Sequence, residues 1–145
     1  MKTTCADIES KSKKHMILLV DDDPDLVKVF KGGLKAKGLL IDAYTSPREA
    51  LQSFKPNAYD LAILDIRMPE MTGFQLYREI RNRDPTITVC FLSAFEIQPD
   101  EFRILFPSMD RLKTIIKKPV SIYELLKQIT PFLKMSAAGA GEVPG

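Results

Sequence analysis

The sequence contains little of what builds covalent or zinc-based frameworks: it has two cysteines, one histidine and no tryptophan. Cys5 and Cys90 are far apart in the chain and form no CxxC motif, so neither a disulfide framework nor a zinc site is predicted. Sparse, unpaired cysteines are typical of proteins in a reducing compartment, and we therefore predict a cytoplasmic location.

Long hydrophobic runs and a strong charge imbalance are also missing. No apolar run approaches the roughly 20 residues of a membrane span, and residues 1–14 lack the apolar core of a signal peptide. The formal net charge of +2 is too small to favour direct binding to nucleic acid or to a membrane. With 145 residues, 45% of them hydrophobic and 28% charged, the chain suits one globular domain.

Apolar runs of strand length alternate with amphipathic stretches of helix length. The predicted strands are residues 16–20, 39–44, 59–65, 86–92 and 114–117. The predicted helices are residues 24–37, 47–54, 73–83, 99–105 and 122–130. This order predicts a doubly wound α/β fold, in which a five-stranded parallel sheet carries helices on both faces. Residues 15–134 form the predicted domain, between a flexible leader at 1–14 and a flexible tail at 135–145.

Local signals support the helix boundaries. Capping residues precede four of the predicted helices: Asp23, Ser46, Thr72 and Ser121. Pro131 is expected to end or kink the last helix. Gly32 and Gly33 weaken the middle of the first helix, which indicates either a closely packed neighbour or a locally soft helix.

Polar side chains follow four of the predicted strands at the point where each strand ends: Asp21 and Asp22, then Asp65, Ser93 and Lys118. In open parallel sheets this edge is where ligands bind. Clustered carboxylates are suited to Mg²⁺, and a carboxylate is also a nucleophile toward phosphorus. A lysine pairs with phosphate as a point charge, and a serine hydroxyl donates to a phosphoryl oxygen. The combination predicts phosphoryl-transfer chemistry.

Alternatives remain open for several of these residues. Three aspartates run together, so the metal register could include Asp23, although that residue suits a helix cap better. Lys118 is preferred to Lys117 because it directly precedes a proline. Ser93 taken alone would be an ordinary strand-end hydrogen bonder, and only its companions assign it to the site.

The pattern of these strand ends resembles the receiver domain of two-component response regulators, the CheY-like family. The resemblance covers about residues 15–134. It rests on four motifs in order: Val20-Asp21-Asp22-Asp23-Pro24, Leu64-Asp65-Ile66-Arg67-Met68-Pro69, Leu92-Ser93-Ala94 and Lys118-Pro119. The family fold is flavodoxin-like, and it implies the strand order 2-1-3-4-5 and five helices.

The resemblance also implies roles for the residues that match the motifs. Asp65 would accept a phosphoryl group from a histidine kinase or a phosphotransfer protein. Asp21, Asp22 and Asp65 would hold Mg²⁺ together with the backbone carbonyl of Arg67.

The remaining two motif residues would act on the phosphate itself. Ser93 would turn toward it, and Lys118 would bind it, with a cis peptide bond to Pro119. Catalysis would be limited to self-phosphorylation from phosphodonors and slow loss of the phosphate.

Three features depart from the family pattern. Ile115 stands where the family often has an aromatic switch residue, and residues 106–109 replace a common Gly-Ala pair. Arg67 and Phe95 lie two positions after Asp65 and Ser93, where the resemblance implies that side chains tune hydrolysis of the phosphate, and the bulk of Phe95 would hinder the attacking water. We therefore expect slow dephosphorylation and a readout that does not rely on a rotating ring.

Two classes of function are compatible with this sequence. The first is a phosphorylation switch that acts through a downstream protein target; we expect it to stand alone, without a DNA-binding output domain, and a homodimer is compatible with it. The second is a degenerate receiver that serves as an interaction module without phosphorylation. The presence of Asp21, Asp22, Asp65, Ser93 and Lys118 together favours the switch.

Overall fold

The computed structural model describes residues 15–95 and 112–137 of the chain. These ranges contain, in order, β1 Met16–Val20, α1 Pro24–Ala36, β2 Leu40–Tyr44, α2 Pro47–Ser53, β3 Leu61–Asp65, α3 Gly73–Arg83, β4 Val89–Ser93, β5 Leu112–Lys117 and α4 Ile122–Ala137. The predicted leader at 1–14, the predicted helix at 99–105 and the tail from 138 onwards lie outside the described residues. The described ranges therefore contain four helices, against the five predicted for the whole chain.

The five strands form one parallel sheet in the order β2-β1-β3-β4-β5, which confirms the predicted topology. Val20 of β1 pairs with Leu64 of β3, so Asp21 and Asp65 come next at the same level of the sheet. The register thus brings the ends of the two central strands to one edge.

The core has two halves because successive strand residues point to opposite faces of the sheet. One face is covered by α2 and α3 and includes Leu18, Val20, Ala62, Leu64, Val89 and Phe91. The other is covered by α1 and α4 and includes Ile17, Leu19, Leu61, Ile63, Cys90, Leu92 and Ile116. β1, β3 and β4 are buried on both faces, which explains why they are uninterrupted apolar runs in the sequence.

The predicted caps are present. Asp23 and Ser46 accept hydrogen bonds from backbone N–H groups in the first turns of α1 and α2, and Ser121 accepts one in the first turn of α4. Thr72 and Gln75 form the full reciprocal capping box at the start of α3. No helix within the described ranges is long and apolar enough to cross a membrane.

α4 runs further than the sequence predicts. It continues through Pro131 to Ala137, so residues 135–137 are helical and not part of the predicted tail. The proline removes only one backbone donor, and the buried stripe continues across it, because Ile129 and Leu133 are both buried. Tertiary packing offsets the local penalty.

The two glycines of α1 have different surroundings. A Cβ added at Gly33 would overlap the side chain of Ile122 at the start of α4, whereas one added at Gly32 would meet nothing within 4 Å. Gly33 therefore permits the close approach of α1 and α4, and Gly32 faces open space.

Candidate functional site

Three carboxylates meet at the carboxyl edge of the sheet. Asp21, Asp22 and Asp65 each offer an oxygen, and these oxygens lie within 4.8 Å of one another. Asp21 is fully buried and Asp65 is 4% exposed, while Asp22 is exposed to solvent. The site is therefore a pocket with two desolvated carboxylates at its base and one at its mouth.

Lys118 is the cation of this pocket. Its Nζ lies 2.7 Å from Asp21 Oδ2 and 3.2 Å from Asp65 Oδ1. Burial disfavours its ammonium form, but the hydrogen bonds and charges of Asp21 and Asp65 outweigh burial and raise the pKa of Lys118 above its ordinary value. Its peptide bond to Pro119 is cis, as the resemblance implied.

The carboxylates are not fully compensated by Lys118. Burial, and next to it the charge of Asp21, raise the pKa of Asp65 to about 7, against the lowering effect of Lys118. Three carboxylates facing one ammonium leave two negative charges when all are ionised. A divalent cation that prefers oxygen ligands would balance them, so these residues fit Mg²⁺ in both charge and donor type.

The three consecutive aspartates separate into different environments. Asp21 Oδ1 accepts from the backbone N–H of Asp23 at 2.9 Å, which fixes its orientation inside the pocket. Asp23 Oδ1 accepts from the N–H groups of Asp25 and Leu26 at 3.0 and 3.4 Å. Asp23 is thus the predicted helix cap, and only Asp21 and Asp22 of the three join Asp65.

Ser93 is buried, and its hydroxyl is engaged locally. Its Oγ donates to the carbonyl of Phe95 and accepts from the N–H of Phe95, both at 3.0 Å. The guanidinium carbon of Arg67 lies 4.6 Å from the centroid of the Phe95 ring. The structure therefore brings Asp21, Asp22, Asp65 and Lys118 together, but it directs the Ser93 hydroxyl to Phe95; a ligand role for the Arg67 carbonyl stays a prediction.

Sequence reasoning missed Gly73, which supports the end of β3. Its N–H donates to the carbonyl of Ile66 at 2.8 Å, and an added Cβ would overlap the carbonyl oxygen of Asp65. A larger residue here would displace the backbone of Asp65. The available signal was a glycine directly after the capping residue Thr72, where helices do not require one.

A family model describing the response regulator receiver domain matches residues 17–130, which is most of the chain. The chain belongs to this family. It is therefore a receiver domain of two-component signalling, a family that binds Mg²⁺ at an acidic pocket and interacts with histidine kinases or phosphotransfer proteins. The position of Asp65 at the end of β3, beside Asp21, Asp22 and Lys118, is the arrangement that the resemblance implied.

Individual relatives agree with this assignment. The transcriptional regulatory protein RprY of Bacteroides fragilis is 33% identical over 122 residues, which cover 84% of this chain and 50% of RprY. The chain therefore spans half the length of that curated relative.

Solved structures show the same fold. The receiver domain of HemR from Leptospira biflexa is 26% identical, with a TM-score of 0.74 over 91% of this chain and 99% of that one. The response regulator TrrA from Thermotoga maritima, solved in complex with Mg²⁺-BeF, is 29% identical, with a TM-score of 0.66 over 81% of this chain and 98% of that one.

Proposed function

We propose that Asp65 is the phosphoacceptor of this receiver domain and takes its phosphoryl group from a histidine kinase or a phosphotransfer protein. The observation that carries the proposal is the meeting of Asp65 with two further carboxylates and a lysine ammonium at one edge of the sheet. A carboxylate oxygen of Asp65 attacks phosphorus while the bond from phosphorus to the donor breaks. The product is an acyl phosphate that changes which downstream protein the domain binds.

Each neighbour of Asp65 has a separate task. Asp21, Asp22 and Asp65, with the backbone carbonyl of Arg67, would hold Mg²⁺, which offsets negative charge on the phosphoryl oxygens. Lys118 Nζ already lies 3.2 Å from Asp65 Oδ1. After the transfer, its ammonium would pair with the phosphoryl group on Asp65. The Ser93 hydroxyl gives up its hydrogen bonds to Phe95 and then donates a hydrogen bond to that phosphoryl group.

Intact-mass measurement after incubation with acetyl phosphate and Mg²⁺ tests the phosphoacceptor role. We expect one phosphoryl adduct, absent from Asp65→Asn and retained in the matched variant Asp23→Asn. If no donor produces an adduct on the wild-type chain, the degenerate interaction module becomes the better description.

Metal binding tests the assignment of the aspartates separately. Asp22→Ala should abolish Mg²⁺ binding measured by calorimetry, because Asp22 lies within the carboxylate cluster. Asp23→Ala should leave it almost unchanged and instead destabilise α1 by about 1 kcal/mol through loss of the cap. The reverse ranking would place the metal register one residue later.

Phosphate loss is proposed to be slow. The ring of Phe95 lies two residues beyond Ser93 and contacts Arg67, two residues beyond Asp65, so both flanks of the acceptor carry bulky side chains. Such bulk hinders the approach of an attacking water. Retention of the adduct for minutes in Mg²⁺ buffer is expected, and its loss within seconds would contradict this part of the proposal.

A further inference from the structure

The segments that follow β3 and β4 touch outside the acidic pocket. Arg67 and Phe95 are both exposed, and the Arg67 guanidinium carbon lies 4.6 Å from the centroid of the Phe95 ring. Phe95 is 49% exposed, so one face of its ring is open to the Arg67 guanidinium at the surface. A guanidinium over an aromatic face is an attractive cation–π contact.

The same phenylalanine holds the Ser93 hydroxyl. Residues 93–95 form a closed turn in which Ser93 Oγ gives its proton to the Phe95 carbonyl and accepts the Phe95 N–H. A serine hydroxyl has a single proton to donate. While the 93–95 turn is closed, that proton is unavailable to a phosphoryl oxygen on Asp65.

The backbone on either side of this turn is fixed. The N–H of Ile66 donates to the carbonyl of Leu92 at 3.0 Å, and the N–H of Lys118 donates to the carbonyl of Ser93 at 2.7 Å. Ser93 therefore cannot reach the pocket by a shift of its strand. Its hydroxyl is released by rotation about the Cα–Cβ bond of Ser93, which breaks both hydrogen bonds to the Phe95 backbone.

We propose that Arg67 and Phe95 form a latch that keeps the 93–95 turn closed and so withholds the Ser93 hydroxyl until a phosphoryl group occupies Asp65. This inference rests on the proposed phosphoacceptor function and adds two positioning residues to it. The latch opposes capture of the phosphoryl group, because it holds the Phe95 N–H and carbonyl where they bond the Ser93 hydroxyl, and those bonds are lost when the hydroxyl turns to the phosphoryl group.

Simple electrostatics predicts the opposite effect for Arg67. A positive charge two residues from Asp65 attracts an anionic ligand, so its removal would weaken binding of that ligand. The latch predicts that removal of the same charge strengthens binding. Phe95→Leu carries no charge change and separates the two explanations further.

Beryllium fluoride, a mimic of the phosphoryl group, provides the test. Its Kd in the presence of Mg²⁺ is measured by ¹⁹F NMR on the full chain, with Asp65→Asn as the negative control. We expect Phe95→Leu and Arg67→Gln each to bind about two- to fivefold more tightly than wild type, the range expected from losing one exposed cation–π contact. The double variant should gain no more than either single variant, and Arg78→Gln, an exposed arginine of α3, should gain nothing.

Two further measurements distinguish a positioning role of Arg67 and Phe95 from a general effect on stability. In a Ser93→Ala background the gain from Phe95→Leu should vanish, because no hydroxyl remains to be released. The Kd for Mg²⁺ alone should stay the same in Phe95→Leu, which changes no charge and no residue assigned to the metal site. If Phe95→Leu does not fold, Arg67→Gln and Arg67→Lys decide the question, with Lys giving the smaller gain.

The outcomes separate the latch from the function on which it rests. Wild-type chain that fails to bind beryllium fluoride through Asp65 would overturn both. Wild-type binding with equal or weaker binding by Phe95→Leu and Arg67→Gln would overturn the latch alone. A gain that persists in the Ser93→Ala background would also overturn it, because the released group would then not be Ser93.

Discussion

Two carboxylates are buried to a similar degree at opposite edges of the sheet: Asp65 is 4% exposed and Asp84 is 2% exposed. Asp84 caps the end of α3 and accepts hydrogen bonds from the N–H of Asn57 at 2.9 Å and from the N–H and Oγ1 of Thr86 at 3.2 and 2.9 Å. Its oxygens are filled by donors that the fold fixes in place.

Asp65 has charged neighbours in place of fixed hydrogen-bond donors. It faces another buried carboxylate, Asp21, and shares one ammonium with it. Burial of the carboxylate itself is common to Asp65 and Asp84, so burial does not mark a functional site. The neighbouring groups distinguish the two carboxylates. Asp84 is structural because its oxygens accept hydrogen bonds from fixed donors, whereas Asp65 faces a like charge that is not fully compensated and is therefore suited to a metal and a phosphoryl group.

The largest expected effect comes from removing the structural carboxylate. Asp84→Ala should lower the free energy of unfolding by about 3 kcal/mol, because it removes three hydrogen bonds to a buried carboxylate acceptor. Urea denaturation measures this. The matched variant Glu79→Ala, exposed on the same helix, should change stability by less than about 0.5 kcal/mol. A loss below 1 kcal/mol for Asp84→Ala would remove the contrast between the two edges.

Gly73→Ala sharpens the comparison at the functional edge. We expect it to lower the free energy of unfolding by about 1–3 kcal/mol, because the new methyl group overlaps the backbone of Asp65. Phosphorylation by acetyl phosphate should also slow, since the acceptor is displaced relative to Lys118. Unchanged stability together with an unchanged rate would show that the end of β3 adapts freely.

Asp65→Asn should have the opposite sign from Asp84→Ala. In EDTA it should raise the free energy of unfolding by about 1–2 kcal/mol at pH 8, because a neutral amide replaces a charge that faces Asp21. Equal or lower stability of Asp65→Asn at pH 8, measured by urea denaturation, would contradict the uncompensated charge at this edge.

The pH dependence of this advantage follows from the pKa of Asp65. The folded-state pKa of about 7 lies above the ordinary value of 3.8, so the folded protein binds this proton more tightly than the unfolded chain does. The stabilisation that the carboxyl contributes is present below about pH 4 and is lost as the pH rises through 7. The stability advantage of Asp65→Asn should therefore be smaller at pH 5 than at pH 8, and Mg²⁺ should reduce it at pH 8.

The smallest expected effect concerns the two glycines of α1, where the neighbouring atoms decide whether an added methyl group stabilises or destabilises the protein. Gly32→Ala should stabilise the protein by about 0.5–1 kcal/mol, because it faces open space in a helix interior. Gly33→Ala should destabilise it, because the added methyl group overlaps Ile122. Thermal unfolding of the two single variants checks the opposite signs, and equal shifts would contradict the close approach of α1 and α4.

The sequence allowed prediction of the sheet and of the acidic cluster because both are local patterns. β1 and β3 are buried on both faces, so their apolar runs stop abruptly at Asp21 and Asp65. The resemblance supplied the strand order, and the capping residues Asp23 and Thr72 marked helix starts through bonds to their own neighbours.

Features that depend on distant partners were not predictable in the same way. Thr86 has the β-branched character of a strand residue, yet β4 begins at Val89 because Asp84 holds both the N–H and the hydroxyl of Thr86. α4 continues past Pro131 because of packing against the sheet. The orientation of the Ser93 hydroxyl depends on the backbone of Phe95, which no spacing in the sequence reveals.

The reactivity of Cys90 reports how often the centre of the sheet opens. It lies on β4 with no exposed surface, and burial raises the pKa of its thiol to about 12, so the folded protein is inert to thiol reagents there. With Cys5 replaced by serine, the rate at which a thiol reagent modifies Cys90 reports how often β4 separates from its neighbours. Comparing that rate with and without Mg²⁺ would show whether neutralising the carboxylates at the edge of the sheet slows the opening of its central strands.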